Sequence, residues 1–248
     1  MSRTRLYQAI PLQTGITVEL DEQATHHLAR VLRAQAGESL VVFNGEGGEY
    51  TASILHVDKK KVTVQIENFI DRDVESPLSL CLAQGISRGE KMDYTIQKAV
   101  ELGVTEIVPI LTERCTVKLD AERKVKKAEH WQSIMINACE QSGRTKIPHL
   151  LPPIEFNRWL PTTKNAQGFV LAPTATMPLE KINLKKESKV VLLIGPEGGL
   201  SAGELQQASM AGFLPLNLGP RILRTETAAV AALTALQCYF GDLSGKVL

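Results

Sequence analysis

Two short stretches near the C-terminus carry residue types suited to holding a ligand. The first, Leu193-Ile194-Gly195-Pro196-Glu197-Gly198-Gly199-Leu200, follows an apolar run and precedes Ser201, a suitable helix N-cap. Glycine there lets backbone N–H and C=O groups approach a ligand, because no Cβ intervenes. A plain strand–turn–helix connection would need the same glycines for geometry alone. The second stretch, Leu218-Gly219-Pro220-Arg221-Ile222-Leu223-Arg224-Thr225-Glu226-Thr227-Ala228, has the same setting. Together the two loops could enclose a flat heteroaromatic ring. Main-chain groups would read its edge, and Ile222 and Leu223 would cover its faces. Leu171-Ala172-Pro173, at a third strand end, could supply another wall.

Other chemistries lack their signatures. There is no GxxxxGK[ST] phosphate loop and no GxGxxG opening a strand–helix–strand unit. There is no GxSxG nucleophile elbow. Gly45-Glu46-Gly47-Gly48 is glycine-rich but lies between two β-rich runs, as a hairpin would. Cys81, Cys115, Cys139 and Cys238 are dispersed without a CxxC pair, so no metal site is expected.

The loops need strands and helices to place them. After Pro77 the pattern alternates: strands at 78–83, 105–110, 168–171, 189–194 and 214–218, helices at 89–102, 123–141, 201–211 and 225–240. Continuous apolar strands alternating with helices imply a parallel sheet covered on both faces. Ligands bind such sheets beyond the carboxyl ends of the strands. Before Pro77 the pattern is different. β-rich runs at 39–43, 49–57 and 61–69 are joined by turn-forming residues, and a single helix is capped by Asp21. Its apolar face would be Ala24, Leu28, Val31 and Leu32, with Gly37 as the stop. Short strands plus one helix suggest a small barrel. The polar segment 71–77 divides the two patterns, giving expected domains of 1–72 and 73–248.

Composition narrows the class of protein. A chain of 248 residues with 44% apolar and 22% charged residues can bury a core without disulfides. Unpaired cysteines, no apolar leader and no long apolar span point to the cytoplasm and away from membranes. A net charge of +1 does not by itself predict nucleic-acid binding, so an RNA site has to be a local patch.

Four motifs in order resemble one family. His26-His27-Leu28-Ala29-Arg30-Val31-Leu32-Arg33 is similar to its HHLxxVLR segment. Arg88-Gly89-Glu90-Lys91-Met92 followed by Gln97-Lys98-Ala99-Val100-Glu101-Leu102-Gly103-Val104 resembles its GEKM and QKAxELGV stretches, with Val100 in place of the usual threonine. Ala138-Cys139-Glu140-Gln141-Ser142-Gly143-Arg144 resembles its AxEQSGR element, and the two C-terminal loops resemble its closing signature. On these residues the chain resembles the bacterial 16S rRNA uracil-N3 methyltransferases of the SPOUT superfamily. The resemblance implies an α/β protein with an N-terminal PUA-like β-barrel. Its C-terminal SPOUT domain would carry a mostly parallel sheet and a deep trefoil knot, at about 168–240. It implies S-adenosylmethionine as cofactor, 16S rRNA of the small ribosomal subunit as substrate, and a homodimer. It implies no DNA or membrane partner.

The resemblance assigns expected roles. Leu171, Ala172, Leu193, Gly195, Pro196, Glu197, Gly198, Gly199, Leu218, Gly219, Ile222, Leu223 and Thr225 would hold the cofactor. Uracil N3 lies on the Watson–Crick edge, so the base must be unpaired or flipped. Arg224 would hold a phosphate or a uracil oxygen, and Glu226 would accept the N3 proton or orient the group that does. Against these stand ordinary roles: a surface ion pair for Arg224, a helix-dipole carboxylate for Glu226, and a loop brace for Glu197. Arg3, Arg5, Arg30, Arg33, Arg88 and Arg144 are expected to contact RNA, with Lys59–Lys61 beside them. Other readings are a SPOUT enzyme on another RNA, or a non-catalytic RNA-binding assembly factor. The latter predicts damaged cofactor loops, yet Gly195, Gly198, Gly199 and Gly219 are intact.

Overall fold

The computed structural model describes residues 4–172, 175, 177–184 and 188–244. It divides into two compact units. One comprises the residues up to 75 together with 139–147. The other comprises 76–138 together with the residues from 148 onward.

The first unit is a five-stranded sheet. β1 (Arg5–Tyr7), β2 (Thr17–Glu19), β3 (Ser39–Phe43), β4 (Glu49–Val57) and β5 (Val62–Ile70) pair in the order β1-β3-β4-β5-β2. β1 runs parallel to β3, and the other pairings are antiparallel. The period of two is clear in β5, where Val62, Val64 and Ile66 point inward. They meet Leu40, Val42, Ala52 and Ile54 in one core with Ala24 and Leu28 of α1 (Glu22–His26).

Asp21 caps α1 by accepting from the Ala24 N–H at 2.7 Å. The helix then widens into a π turn over His27–Leu32 and ends at Arg33, whose φ is 52°. This corrects the expected apolar face. The wider turn rotates Val31 and Leu32 outward, to 60% and 45% exposure, and buries Ala34 in their place. The chain leaves the helix at Arg33, before Gly37.

Residues 139–147 join this unit through buried polar contacts. Arg144 grips the Glu75 carboxylate through Nε, at 3.0 Å, and through Nη2. Its carbonyl accepts from Arg5, which pairs with Glu49. The Glu140 carboxylate accepts the Tyr7 N–H at 2.9 Å.

The second unit contains β6 (Leu80–Gly85), α2 (Glu90–Glu101), β7 (Glu106–Leu111) and most of α3 (Ala121–Ser142). Then follow β8 (His149–Leu150), β9 (Ile154–Glu155), α4 (Phe156–Trp159), β10 (Gln167–Leu171) and β11 (Met177–Pro178). The chain continues through β12 (Val190–Ile194), α5 (Ala202–Met210), β13 (Leu214–Asn217) and α6 (Thr225–Phe240). The strands pair in the order β11-β13-β10-β12-β6-β7-β8, with β9 also beside β7, and every pairing is parallel.

A parallel sheet needs cover on both faces. Cys81, Ala83, Val108, Val170, Val191 and Leu193 pack one face against Phe156, Trp159, Ala208 and Phe213. Alternate residues, among them Leu80, Leu82, Phe169 and Leu192, are fully buried on the other. α2 and α6 pack against each other, and Gln237 of α6 donates to the Leu102 carbonyl at 2.8 Å. Because the strands are parallel, the carboxyl ends of β6, β7, β10, β12 and β13 share one edge of the sheet. Among the described residues no helix is long and apolar enough to cross a membrane.

Candidate functional site

A cavity of about 690 Å³ opens at that edge, in the size range of small-molecule sites. Its floor is Leu171 and Ala172 after β10 and Leu216 and Asn217 at the end of β13. One wall is Ile194 with the loop Gly195–Leu200, and the other is Leu218, Gly219 and Arg221–Thr225.

The first loop is fixed by sterics and hydrogen bonds. A Cβ on Gly195 would lie 2.7 Å from the Gly199 carbonyl carbon, closer than atoms tolerate, so only glycine lets the loop fold back on itself. The Gly199 N–H donates to the Pro196 carbonyl at 2.8 Å, with φ +68° at Gly199. Ser201 then starts α5 with a reciprocal cap. Its hydroxyl accepts the Glu204 N–H at 3.1 Å, and the Glu204 carboxylate accepts the Ser201 N–H at 2.8 Å. The same carboxylate accepts the Glu113 N–H at 2.8 Å, tying in the loop after β7. From that loop Arg114 donates to the Gly198 carbonyl at 3.1 Å.

Glu197 is tied to residues around the start of α2. Its carboxylate accepts the Arg88 N–H at 3.0 Å and lies 3.5 Å from Lys91 Nζ. Partial burial pushes the carboxyl upward, but the N–H of Arg88, its own N–H and the Lys91 charge outweigh it. The net effect holds Glu197 below the usual carboxylate range.

The two loops are joined by one polar network. The Thr225 hydroxyl, at the first turn of α6, donates to the Gly195 carbonyl at 2.6 Å. It accepts from Gln84 Nε2 at 2.9 Å, and Nε2 also lies 3.0 Å from the Gly85 carbonyl. Gln84 is fully buried at the end of β6. One side chain thus links a strand end, the first loop and the second loop. Its Oε1 is buried without a hydrogen-bond partner among the described residues.

Twelve of the thirteen residues expected to hold a cofactor line this cavity: Leu171, Ala172, Gly195–Gly199, Leu218, Gly219, Ile222, Leu223 and Thr225. Leu193 does not. It is one residue too early in β12, so the strand's alternation buries it in the core against the aromatic cluster, and Ile194 lines the cavity instead. Ile222 is 86% exposed at the cavity wall, an apolar side chain that a flat ligand would cover.

Arg224 lines the cavity as the N-cap residue of α6. Glu226 is half-buried and not part of the lining, and its Oε2 is buried without a hydrogen-bond partner among the described residues. The residues expected to contact RNA scatter. Arg30 and Arg33 are exposed. Arg88 is exposed and bonds Thr116 at 2.7 Å. Arg144 is buried and paired with Glu75, and the partly buried Arg5 is paired with Glu49. Arg3 and Pro173 lie outside the described residues.

Among the lining residues, Arg114, Leu205 and Asn217 carry no signal in the sequence; Lys91 stands in the GEKM stretch, and Arg221 and Ala228 in the second loop, without being expected to hold the cofactor. Gln84, which follows the strand expected at 78–83, has no expected role either. Among the described residues no cluster of His, Cys, Asp and Glu could hold a metal ion.

Comparison with known proteins gives a consistent result. A family profile for an RNA methyltransferase domain matches residues 74–237, and one for an RNA methyltransferase PUA domain matches 20–67. The ribosomal RNA small subunit methyltransferase E of Buchnera aphidicola from Schizaphis graminum is 39% identical over 241 residues, covering 97% of this chain and 98% of its own. The Bacillus subtilis protein of that name is 31% identical, with 91% of each chain covered. A Legionella pneumophila protein solved with the cofactor SAM is 45% identical, with a TM-score of 0.95 over 98% of this chain and 100% of its own. The Neisseria gonorrhoeae ribosomal RNA small subunit methyltransferase E, solved with S-adenosyl methionine, is 40% identical, with a TM-score of 0.90 over 98% of this chain and 100% of its own.

Proposed function

The chain belongs to the ribosomal RNA small subunit methyltransferase E family, and from that premise we propose that it methylates N3 of an unpaired uridine in 16S rRNA, using S-adenosylmethionine. The observation that carries this reading is the cavity between two glycine-bearing loops tied by the Thr225–Gly195 hydrogen bond.

The residues present fit that cofactor. Gly195 leaves a cradle that a Cβ would fill, and Ile222 and Leu223 offer apolar contact to a ring. Gly195–Gly199, Leu218, Gly219 and Thr225 would hold it through main-chain groups. When bound, the cofactor supplies an electrophilic methyl group on a sulfonium.

The protein's own groups do the rest. Arg224 presents a guanidinium at the cavity, suited to a phosphate or to the charge that grows on the uracil oxygens as N3 loses its proton. Glu226, in the first turn of α6 with a carboxylate oxygen unpartnered among the described residues, is the proposed acceptor of that proton. Glu226→Gln keeps shape and removes the base, so turnover should fall by about 10²-fold or more with cofactor affinity intact. Turnover at the wild-type rate would remove Glu226 from this role.

In the first unit, exposed Arg30 and Arg33 are proposed to meet the rRNA backbone. We also read the chain as a homodimer. α2 and α6 pack together, and each leaves a tyrosine exposed, Tyr94 and Tyr239. Sedimentation at micromolar concentration decides this. We propose a trefoil knot within 168–240; the pairing of β12 and β13 on either side of β10, with both loops at one cavity, supports it. A ribosomal substrate supports a cytoplasmic location. The deciding experiment is calorimetry with S-adenosylmethionine, together with mass spectrometry of small-subunit rRNA nucleosides with and without the gene. Absence of heat, or an unchanged 3-methyluridine content, overturns the assignment.

A further inference from the structure

The cavity carries more positive charge than its cofactor accounts for. Lys91, Arg114, Arg221 and Arg224 line it, and Glu197 is the one carboxylate among the described lining residues. Glu197 is already engaged by the Arg88 N–H and by Lys91. Arg221 and Arg224 are exposed, and among the described residues neither is within ion-pair distance of a carboxylate.

S-adenosylmethionine carries a sulfonium and an ammonium against a single carboxylate. A ring of cations therefore repels it on balance. The charge must serve a different ligand, and the polyanion that has to reach this cavity for the reaction is RNA.

The placement of the cations is also suited to a strand. Lys91, near the start of α2, and Arg114, after β7, adjoin the first loop; Arg221 and Arg224 belong to the second. Arg114 is held in advance. Its backbone neighbour Glu113 is anchored to Glu204, and one guanidinium N–H is spent on the Gly198 carbonyl. The remaining N–H donors of the planar fork stay available for a phosphate.

We propose that Lys91 and Arg114 on one side and Arg221 on the other form a phosphate clamp, holding the RNA backbone on both sides of the nucleotide that enters the cavity. The clamp belongs to the second unit and rests on the RNA methyltransferase reading. It makes these residues substrate-positioning groups.

The test uses the full-length protein and small ribosomal subunits from cells lacking the gene. Subunit affinity is measured across a salt series, and cofactor affinity by calorimetry. Arg221→Gln and Arg114→Gln should each lower the slope of log affinity against log salt by about 0.7. Cofactor affinity should be unchanged or slightly tighter in Arg221→Gln, whereas Arg114→Gln also removes the donor to the Gly198 carbonyl and is read by its salt slope alone. Arg114→Lys keeps the charge and should keep most of the slope. Among the described residues Arg221 makes no hydrogen bond or ion pair, so Arg221→Gln reports on the clamp even if Arg114→Gln loosens the first loop. Unchanged slopes in both glutamine variants, or in Arg221→Gln a cofactor affinity that falls while subunit affinity holds, overturn the clamp. A wild-type protein that neither binds S-adenosylmethionine nor methylates the subunits overturns the enzyme reading itself, a separate outcome.

Discussion

At the scale of single residues, Thr225 carries the most consequence for its size. Its hydroxyl fills two hydrogen-bonding roles in a buried setting, donating to Gly195 and accepting from Gln84. Thr225→Val removes the hydroxyl at nearly constant volume and leaves a buried carbonyl and a buried amide short of a partner. The cost should be about 1–3 kcal/mol, seen as a lower urea midpoint, with about tenfold weaker cofactor binding. Thr225→Ser restores the hydroxyl and should recover most of both. Glu197 makes a second prediction. Its carboxyl is held below its ordinary value in the folded state, so its contribution is present above the usual glutamate range. That contribution is lost as pH falls through the lowered folded value. Folding stability measured from pH 7 down to about 3 should therefore fall at the acid end, below the usual glutamate range, and Glu197→Gln should flatten that fall.

At the scale of elements, helix starts and strand ends set the site. α5 begins with the Ser201–Glu204 cap, and the buried Glu204 carboxylate also holds the loop carrying Arg114. Ser201→Ala should cost about 1 kcal/mol, as a lost N-cap does. Glu204→Leu should cost more, because it also strands the Glu113 N–H, and differential scanning calorimetry of the two variants measures the gap. The first-unit helix shows how local pattern and fold diverge. HHLARVLR has the spacing of an amphipathic α-helix, and the apolar positions were expected on one face. The backbone inserts a π turn at His27–Leu32, which puts Val31 and Leu32 in solvent beside Arg30 and Arg33. Spacing alone cannot report such a turn, because every position after it rotates.

At the scale of the whole molecule, the chain builds its first unit from two distant segments. Arg144 lies 69 residues after Glu75, and Glu140 lies 133 after Tyr7. A buried ion pair contributes little net stability when intact but costs much when halved. Arg144→Met should thus destabilise the first unit by roughly 3–5 kcal/mol, and the paired Glu75→Leu/Arg144→Met should recover much of it. Urea melts followed by hydrogen exchange at β3 to β5 would register both. No recovery in the double variant would mean that the pair does more than neutralise itself.

The sequence by itself determined the layered class, the strand–helix rhythm and most of the cavity wall. These follow from short-range rules: apolar period, capping residues, and glycine where backbone must come close. It also placed Gly195–Gly199 and Leu218–Thr225 at strand ends, because parallel sheets put loops of this kind on one edge. Only the tertiary structure decided which charges face a ligand. Arg5, Arg88, Arg144 and Arg224 look alike along the chain, yet burial and a facing carboxylate turn Arg5 and Arg144 into structural pairs and leave Arg224 at the cavity. Gln84 at the end of β6, Lys91 near the start of α2 and Arg114 after β7 reach the site from positions separated in sequence. Their roles are set by which strands are neighbours in the sheet, and no local spacing encodes that.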